Sequence, residues 1–492
     1  MRTGAEYREA LRDGRKVRVV GEGLIDDVTT HPATRAMVDE YAAWHDRLRD
    51  PAWADVVLTP PDSHGQRVPW STVIPRSPAD LTAIGRSFSA TLFPSAGNVT
   101  HTPAYGYLIA LGILYAVQQL EISPEQIAGA ARYREMLTAS GRFLTFSAGS
   151  ATIGYRMRLD PRERAALRIV DETDAGLVLS GKVAMLTSPA YAEDVYIGSF
   201  CSVPYADHHA SFIVAVNAPG VTVICRKIAP RHANPFIAPM SSRYDELDGQ
   251  LWLDRVLVPW EHVLLMEPTP ETMASWLFWH QLYCWLAKAE FTLGLALACA
   301  DGLGLTEHDV TLEYIVDLIV EVQTVRTCLT AAEADPQRTP QGYCIPGRAH
   351  IAVGSIAMQK ARQRITEILR TLPGSSLVVA PSDAELAQPE LAAGFEEAFG
   401  GGGYTALQRA ALMSLAWDHS SSALDARESA FELHANGGIT AWRARLRRDF
   451  DRYNELANGV LRALSVEMPT VDVSGIRAMP TAPRRPVTPR AP

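Results

Sequence analysis

Apolar positions along the chain divide it into three regimes. Up to about residue 145 they recur at helical spacing, over Glu6–Leu11, Thr34–Leu48, Pro78–Phe88, Pro103–Leu120 and Ser123–Gly141. Ser123 followed by Pro124 is a helix-start signature, and a short strand is expected near Lys16–Val20. From about Phe146 the pattern changes to short β-branched runs separated by turn residues. Leu167–Val170, Leu177–Ser180, Val195–Ser202, Ser211–Val216, Val221–Arg226, Gln250–Val258 and Val263–Leu265 fit strands of a compact antiparallel β-domain. After Glu271 the helical period returns, over Trp276–Gly304, His308–Ala331, Pro346–Leu372, Asp383–Phe399, Tyr404–His419 and Ile439–Ala463. The expected architecture is α+β and mainly α. Its parts are a helical domain at 1–145, a β-barrel-like domain at 146–270, a helical bundle at 271–468 and a disordered Pro/Arg-rich tail at 469–492.

Composition narrows the class. Of 492 residues, 47% are apolar and 21% charged, which suffices for a large core and excludes disorder over most of the length. A net charge of −9 gives no overall attraction to nucleic acid or an anionic membrane. Six scattered cysteines without a CxxC pair suit free thiols in a reducing cytoplasm. The charged N-terminus has no apolar core of a secretory signal. The apolar stretch from Trp276 to Leu305 is interrupted by Lys288 and Glu290, so it reads as a buried bundle helix and not a membrane span.

Motifs for chemistry are few. There is no GxGxxG between a strand and a helix, no Walker A loop, no GxSxG and no HExxH. Gly400–Gly403 is either a helix-to-helix turn or an anion cradle. His208 and His209 point to opposite faces of a strand. His280 and Cys284 stand four apart on a helix without a second ligand pair, so no metal site is expected. The residues alone stop at a large helix–β–helix protein, an enzyme by default.

Four segments carry a resemblance. They are Arg2–Tyr7 with Leu11, Gly14-Arg15 and Asp27–Pro32; Glu172–Gly176 through Ser180-Gly181 to Thr187-Ser188; Ser241-Ser242-Arg243-Tyr244-Asp245-Glu246 through Asp254 to Val256–Glu261; and Arg427–Glu432 with Asn436-Gly437. In this order they resemble the large component of the 4-hydroxyphenylacetate 3-monooxygenase and chlorophenol monooxygenase family. The resemblance implies an acyl-CoA dehydrogenase-like fold: N-terminal helical domain, middle antiparallel β-domain, C-terminal four-helix bundle. It implies FAD as FADH2, delivered by a separate NAD(P)H-flavin reductase, with O2 as co-substrate. In that family a flavin C4a-hydroperoxide transfers oxygen to a phenolate, and the protein binds, orients and excludes water. A homodimer or homotetramer is implied as well.

The chain departs from the family where phenol is bound. The family's Arg-Thr-Pro-x-Tyr is His101-Thr102-Pro103-Ala104-Tyr105 here, and a histidine in an Asn-His-Ala context falls at Ser147. A fixed cation and an imidazole donor are therefore missing. The chlorophenol branch places a histidine in Trp-Leu-x-x-His, which is matched by Trp276, Leu277 and His280. His280 is thus expected as base or hydrogen-bond partner, with Tyr105 and His101 opposite it. Flavin contacts carried over are Ser147, Ala148, Arg156, Thr187, Ser188, Phe431, Glu432, Leu433, His434 and Asn436, each with an ordinary structural role as the alternative. The related 4-hydroxybutyryl-CoA dehydratases add an iron–sulfur cluster, whose cysteines are absent near His101 and Tyr105. The expected activity is hydroxylation of a phenolic or related aromatic, free or carrier-tethered. A non-hydroxylating flavin enzyme of this fold (desaturase, dehydratase or N-oxygenase) is the alternative.

Overall fold

A computed structural model describes residues 1–120, 123–147, 167–198, 211–229, 234–265 and 271–477. The first part of the chain forms α1 (Gly4–Ala10), β1 (Val17–Val19), β2 (Gly23–Ile25), α2 (Arg35–Arg47), α3 (Ala54–Val57), α4 (Pro78–Leu92), α5 (Pro103–Gln119) and α6 (Pro124–Ser140). Ser77 caps α4 reciprocally with Asp80, and Ser123 caps α6, so both starts follow local chemistry. Helix α5 is buried on every side from Pro103 to Val117, which is why its sequence shows no polar stripe.

The strands follow: β3 (Leu144–Ser147), β4 (Arg168–Thr173), β5 (Gly176–Thr187), β6 (Asp194–Ile197), β7 (Ser211–Ala215), β8 (Val221–Cys225), β9 (Asp248–Pro259) and β10 (Val263–Leu265). They form a six-stranded sheet ordered β2-β1-β8-β9-β5-β4 and a four-stranded sheet ordered β10-β7-β6-β3. The sheets are antiparallel except at β1–β8 and β3–β6, which are parallel. Both exceptions come from strands supplied by the N-terminal part of the chain, which arrive over long connections and not hairpins. Strand β5 runs twelve residues, well past the four that alternation shows. Its pairing with β9 extends from Gly176↔Pro259 to Thr187↔Asp248 and carries the chain to Ser188 at its end. The apolar faces of both sheets share one core with α1 and α2.

The remainder is helical: α7 (Ser275–Gly302), α8 (Asp309–Ala334), a hairpin of β11 (Gln337–Arg338) and β12 (Cys344–Ile345), α9 (Arg348–Thr371), α10 (Ser376–Val379), α11 (Asp383–Leu386), α12 (Pro389–Phe399), α13 (Ala406–Ser420), α14 (Ala423–His434), α15 (Gly438–Asp449) and α16 (Tyr453–Leu461). Helix α7 packs on α8, α9 and α13 as a bundle. By length and composition it is apolar enough to cross a membrane, but two-thirds of that window (67%) is buried against protein. It is the bundle's core helix.

Three expectations need correction. The helix expected over Asp383–Phe399 is two, because Pro389 lacks the N–H to continue the first and starts the second. The helix expected over Ile439–Ala463 stops at Phe450, where the chain becomes extended, and restarts at Tyr453. Helix α14, capped by Ser422, was not expected at all. The glycine run closes as a turn: Arg409 donates to the carbonyls of Phe399, Gly400 and Gly401 at 2.6, 2.9 and 2.8 Å.

Candidate active site

The loop that leads into α5 carries His101, and α5 carries Tyr105 one turn on. Helix α7 crosses α5 and brings His280 to the same place. The rings of His101 and Tyr105 lie 4.2 Å apart, and those of Tyr105 and His280 5.4 Å. Phe88 of α4 closes against His280 at 4.7 Å, and Phe146 of β3 against Tyr105 at 6.3 Å. The three expected catalytic side chains thus form one buried aromatic cluster at the meeting of helices and sheet.

The loop is held in place by its backbone. Ala96 and Gly97 adopt positive φ, and a Cβ on Gly97 would stand 2.0 Å from the carbonyl oxygen of Cys284, so this turn can lie on α7 only with glycine there. Lys288 donates to Asn98 Oδ1 at 2.5 Å and pairs with Glu432 Oε1 at 3.2 Å, which ties the loop through α7 to α14. A second anchor is Glu246, 1% exposed. It accepts from the backbone N–H groups of Thr100 and His101 at 3.0 Å each, and from Thr100 Oγ1 at 2.8 Å. The hydroxyls of Tyr41 and Ser188, themselves 2.6 Å apart, lie 2.9 and 3.0 Å from its Oε1. One carboxylate therefore joins the His101 loop to the end of β5.

Burial keeps both imidazoles neutral. His280 is pushed down to about 3 by desolvation and by His101 beside it; His101 falls to about 4 by desolvation, against the pull of Glu246. Tyr105 is raised by burial, with Cys284 and Glu246 adding to it. His280 Nδ1 sits 3.7 Å from the Cys284 sulfur, and Nε2 is buried without a hydrogen-bond partner among the described residues. His101 Nε2 and the Tyr105 hydroxyl also make no hydrogen bond among the described residues, since His101 bonds only through Nδ1 and its backbone. The three rings stand together, and these polar atoms have no hydrogen-bond partner among the described residues, which suits a ligand hydroxyl.

This burial has a stability consequence. His45, also pushed down to about 3 by burial and Arg2, behaves like His101 and His280. Above pH 6.5 neither the folded nor the unfolded chain protonates these groups. Below it only the unfolded chain takes up protons, so stability falls as pH drops toward 4, by about 1.4 kcal/mol per pH unit per histidine. Glu428 has the opposite sign. Burial pushes it up to about 8, so its contribution is full below 4.5 and lost as pH rises past 8, which offsets one histidine. Denaturant midpoints measured at pH 6.5 and 4.5 should show a clear net loss; equal midpoints would contradict neutral buried imidazoles.

The expected flavin residues divide. Ser147 donates to the carbonyl of Ala184 at 3.1 Å, Thr187 to Asp248 Oδ1 at 2.9 Å, and Ser188 joins the Glu246 group. They line the junction next to His101, but their hydroxyl protons are used internally. Glu432 is fixed by Lys288, and its other oxygen accepts from Arg362 Nε; Phe431 and Leu433 flank it on α14, partly buried. His434 is exposed and bonds its own helix at Ala430, and the Asn436 carbonyl accepts from Arg445 at 2.6 Å. No contact among the described residues joins these last two to the ring cluster. Ala148 and Arg156 lie outside the described residues.

A flavin needs donors and acceptors at its edge, and the junction has unsatisfied ones. Both Glu428 oxygens, Arg427 Nε, Ser242 Oγ and His280 Nε2 are buried without hydrogen bonds among the described residues. Arg427 Nη2 lies 2.5 Å from Glu428 Oε1, outside hydrogen-bond alignment, and 3.5 Å from Asp245. Sequence reasoning missed Glu246, Lys288, Glu428 and Arg427 as site groups, although Glu246, Arg427 and Glu428 lie within the resembling segments. No group of three His, Cys, Asp or Glu among the described residues could hold a metal.

An N-terminal helical part, two β-sheets and a C-terminal bundle around one buried junction define an acyl-CoA dehydrogenase-like flavoprotein architecture. Residues 3–265 match the 4-hydroxyphenylacetate 3-hydroxylase N-terminal family and residues 269–462 its C-terminal family; the chain belongs to the 4-hydroxyphenylacetate 3-hydroxylase family. A 4-nitrophenol 4-monooxygenase/4-nitrocatechol 2-monooxygenase oxygenase component of Rhodococcus opacus is 29% identical over 505 residues, covering 96% of this chain and 89% of that protein. An FADH2-dependent monooxygenase of Burkholderia cepacia is 29% identical over 78% of this chain and 77% of its own length. The crystal structure of a 4-hydroxyphenylacetate 3-monooxygenase oxygenase component with FAD and 4-hydroxyphenylacetate superposes with a TM-score of 0.85 at 25% identity, covering 94% and 98% of the two chains.

Proposed function

We propose that this chain is the oxygenase component of a two-component, FADH2-dependent monooxygenase that hydroxylates a phenol or related aromatic. The observation that carries the reading is the His101–Tyr105–His280 cluster, with polar atoms unbonded among the described residues, beside a junction whose buried polar groups fit the edge of a flavin. Bound reduced flavin supplies the electrons with which O2 is activated. The chain's own residues bind the ring, orient it and keep water out. Tyr105, Phe88 and Phe146 form the aromatic walls. The neutral imidazoles of His101 and His280 accept the hydrogen bond of the phenolic hydroxyl and orient it, which draws electron density toward the ring carbon that is to be hydroxylated. Buried Lys288 and Glu432 fix the loop and α14 on either side of α7.

A separate reductase supplies FADH2, and the oligomer is a dimer or tetramer. An exposed apolar line on α8, through Leu312, Val316, Ile319 and Val320, supports association between copies. Cys225, Cys284, Cys299, Cys328 and Cys344 are free thiols, in keeping with a cytoplasmic setting. The test is a coupled assay. The chain with NADH, FAD and a panel of phenols should be inactive until a flavin reductase is added, and then yield catechol-type products. Turnover without the reductase would contradict the two-component reading.

A further inference from the structure

The structure assigns His101 as the hydrogen-bond acceptor for the substrate hydroxyl, with its tautomer fixed by a Glu246–Thr100 relay. This rests on the oxygenase reading of the site. Thr100 Oγ1 lies between two acceptors, 2.8 Å from Glu246 Oε2 and 2.9 Å from His101 Nδ1. It has one proton to give. A buried carboxylate is the stronger acceptor, so the proton goes to Glu246. Glu246 only accepts, and two of the groups on it are backbone N–H donors that cannot reverse. The Thr100 oxygen then offers only a lone pair to the ring, and Nδ1 must carry the hydrogen. Nε2 is left as the lone-pair nitrogen, with no hydrogen bond among the described residues.

In this arrangement the phenolic O–H donates a hydrogen bond to the lone pair of His101 Nε2, which fixes the position of the substrate oxygen. The neutral ring donates through Nδ1 to Thr100 Oγ1, whose own proton goes to Glu246. Thr100 and Glu246 act through His101 and are positioning residues. The other titratable groups around His101 are Tyr105 on α5 and His280 and Cys284 on α7, with Glu246 on the segment before β9. None of these others offers Nδ1 a competing acceptor. The relay is peculiar to a chain with histidine at this position, because a guanidinium has no tautomer to set.

The test is nitrogen NMR of the full chain labelled with 15N-histidine, with the His101 signals assigned through His101→Gln. The expected result is a protonated Nδ1 and an unprotonated Nε2 at neutral pH. Thr100→Val should release the tautomer, and kcat/KM for a phenol should fall about tenfold as the hydrogen bond that orients the ring is lost. Thr100→Ser should restore both. A protonated Nε2 in the unsubstituted chain overturns the proposal, as does Thr100→Val with unchanged ring signals. The NMR readout does not depend on turnover. An inactive chain with the expected tautomer upholds the relay and counts against the oxygenase reading, whereas an active chain with Nε2–H does the reverse.

Discussion

Glu246→Gln should lower turnover about 10²-fold through misplacement of the His101 loop. It should also destabilise the fold by about 3 kcal/mol, the cost of buried donors left without acceptors. The reason lies in which groups meet the carboxylate. Oε2 accepts the Thr100 N–H and Oε1 the His101 N–H, both at 3.0 Å. An amide replaces one of these oxygens with an NH2, and either way round that NH2 faces a backbone donor. Neither backbone group can rotate out of the way, in contrast to a hydroxyl. Glu246→Gln is nearly isosteric, so no cavity is made and the loss reports the hydrogen bonds and the charge of the carboxylate. Single-turnover rates and a denaturant midpoint measure the two effects. A variant that unfolds and turns over like the unsubstituted chain would remove Glu246 from the account.

His280→Ala should lower turnover by about 10²-fold while leaving FADH2 affinity nearly intact. His280 is 1% exposed and packs on Phe88 and Tyr105, with Nε2 unbonded among the described residues. A buried neutral imidazole with a free nitrogen gains nothing for the fold from that atom, so its value is to a ligand. Anaerobic FADH2 titration alongside single-turnover kinetics separates the effects. Equal losses in binding and turnover would mean that His280 supports the flavin or the fold instead.

The helices and strands were legible where burial is apolar. Pro103–Leu120 reads as one long apolar run and Ser123–Gly141 from its cap, and α5 and α6 follow them closely. Helix α14 was not legible, because its inward face is charged. Asp425, Glu428 and Glu432 point into the protein, where Arg362 pairs with Asp425 and Glu432, Arg427 with Glu428 and Lys288 with Glu432. An apolar period cannot reveal a face built from ion pairs. The same physics hid Glu246: a lone carboxylate in a loop has no pattern until the five donors that meet it are placed in space. His101, Tyr105 and His280 came from resemblance to a family, not from spacing. They are distant in sequence and meet only where α7 crosses α5.

The central claim is that this chain passes one oxygen atom from O2 to an aromatic ring, using flavin reduced elsewhere. The most direct test loads the chain with FADH2 anaerobically, mixes it with 18O2 and a phenol, and weighs the product in the absence of any nicotinamide. The account predicts a ring-hydroxylated product carrying one labelled oxygen atom. Flavin that only reoxidises to give labelled hydrogen peroxide, across a panel of phenols, would contradict it.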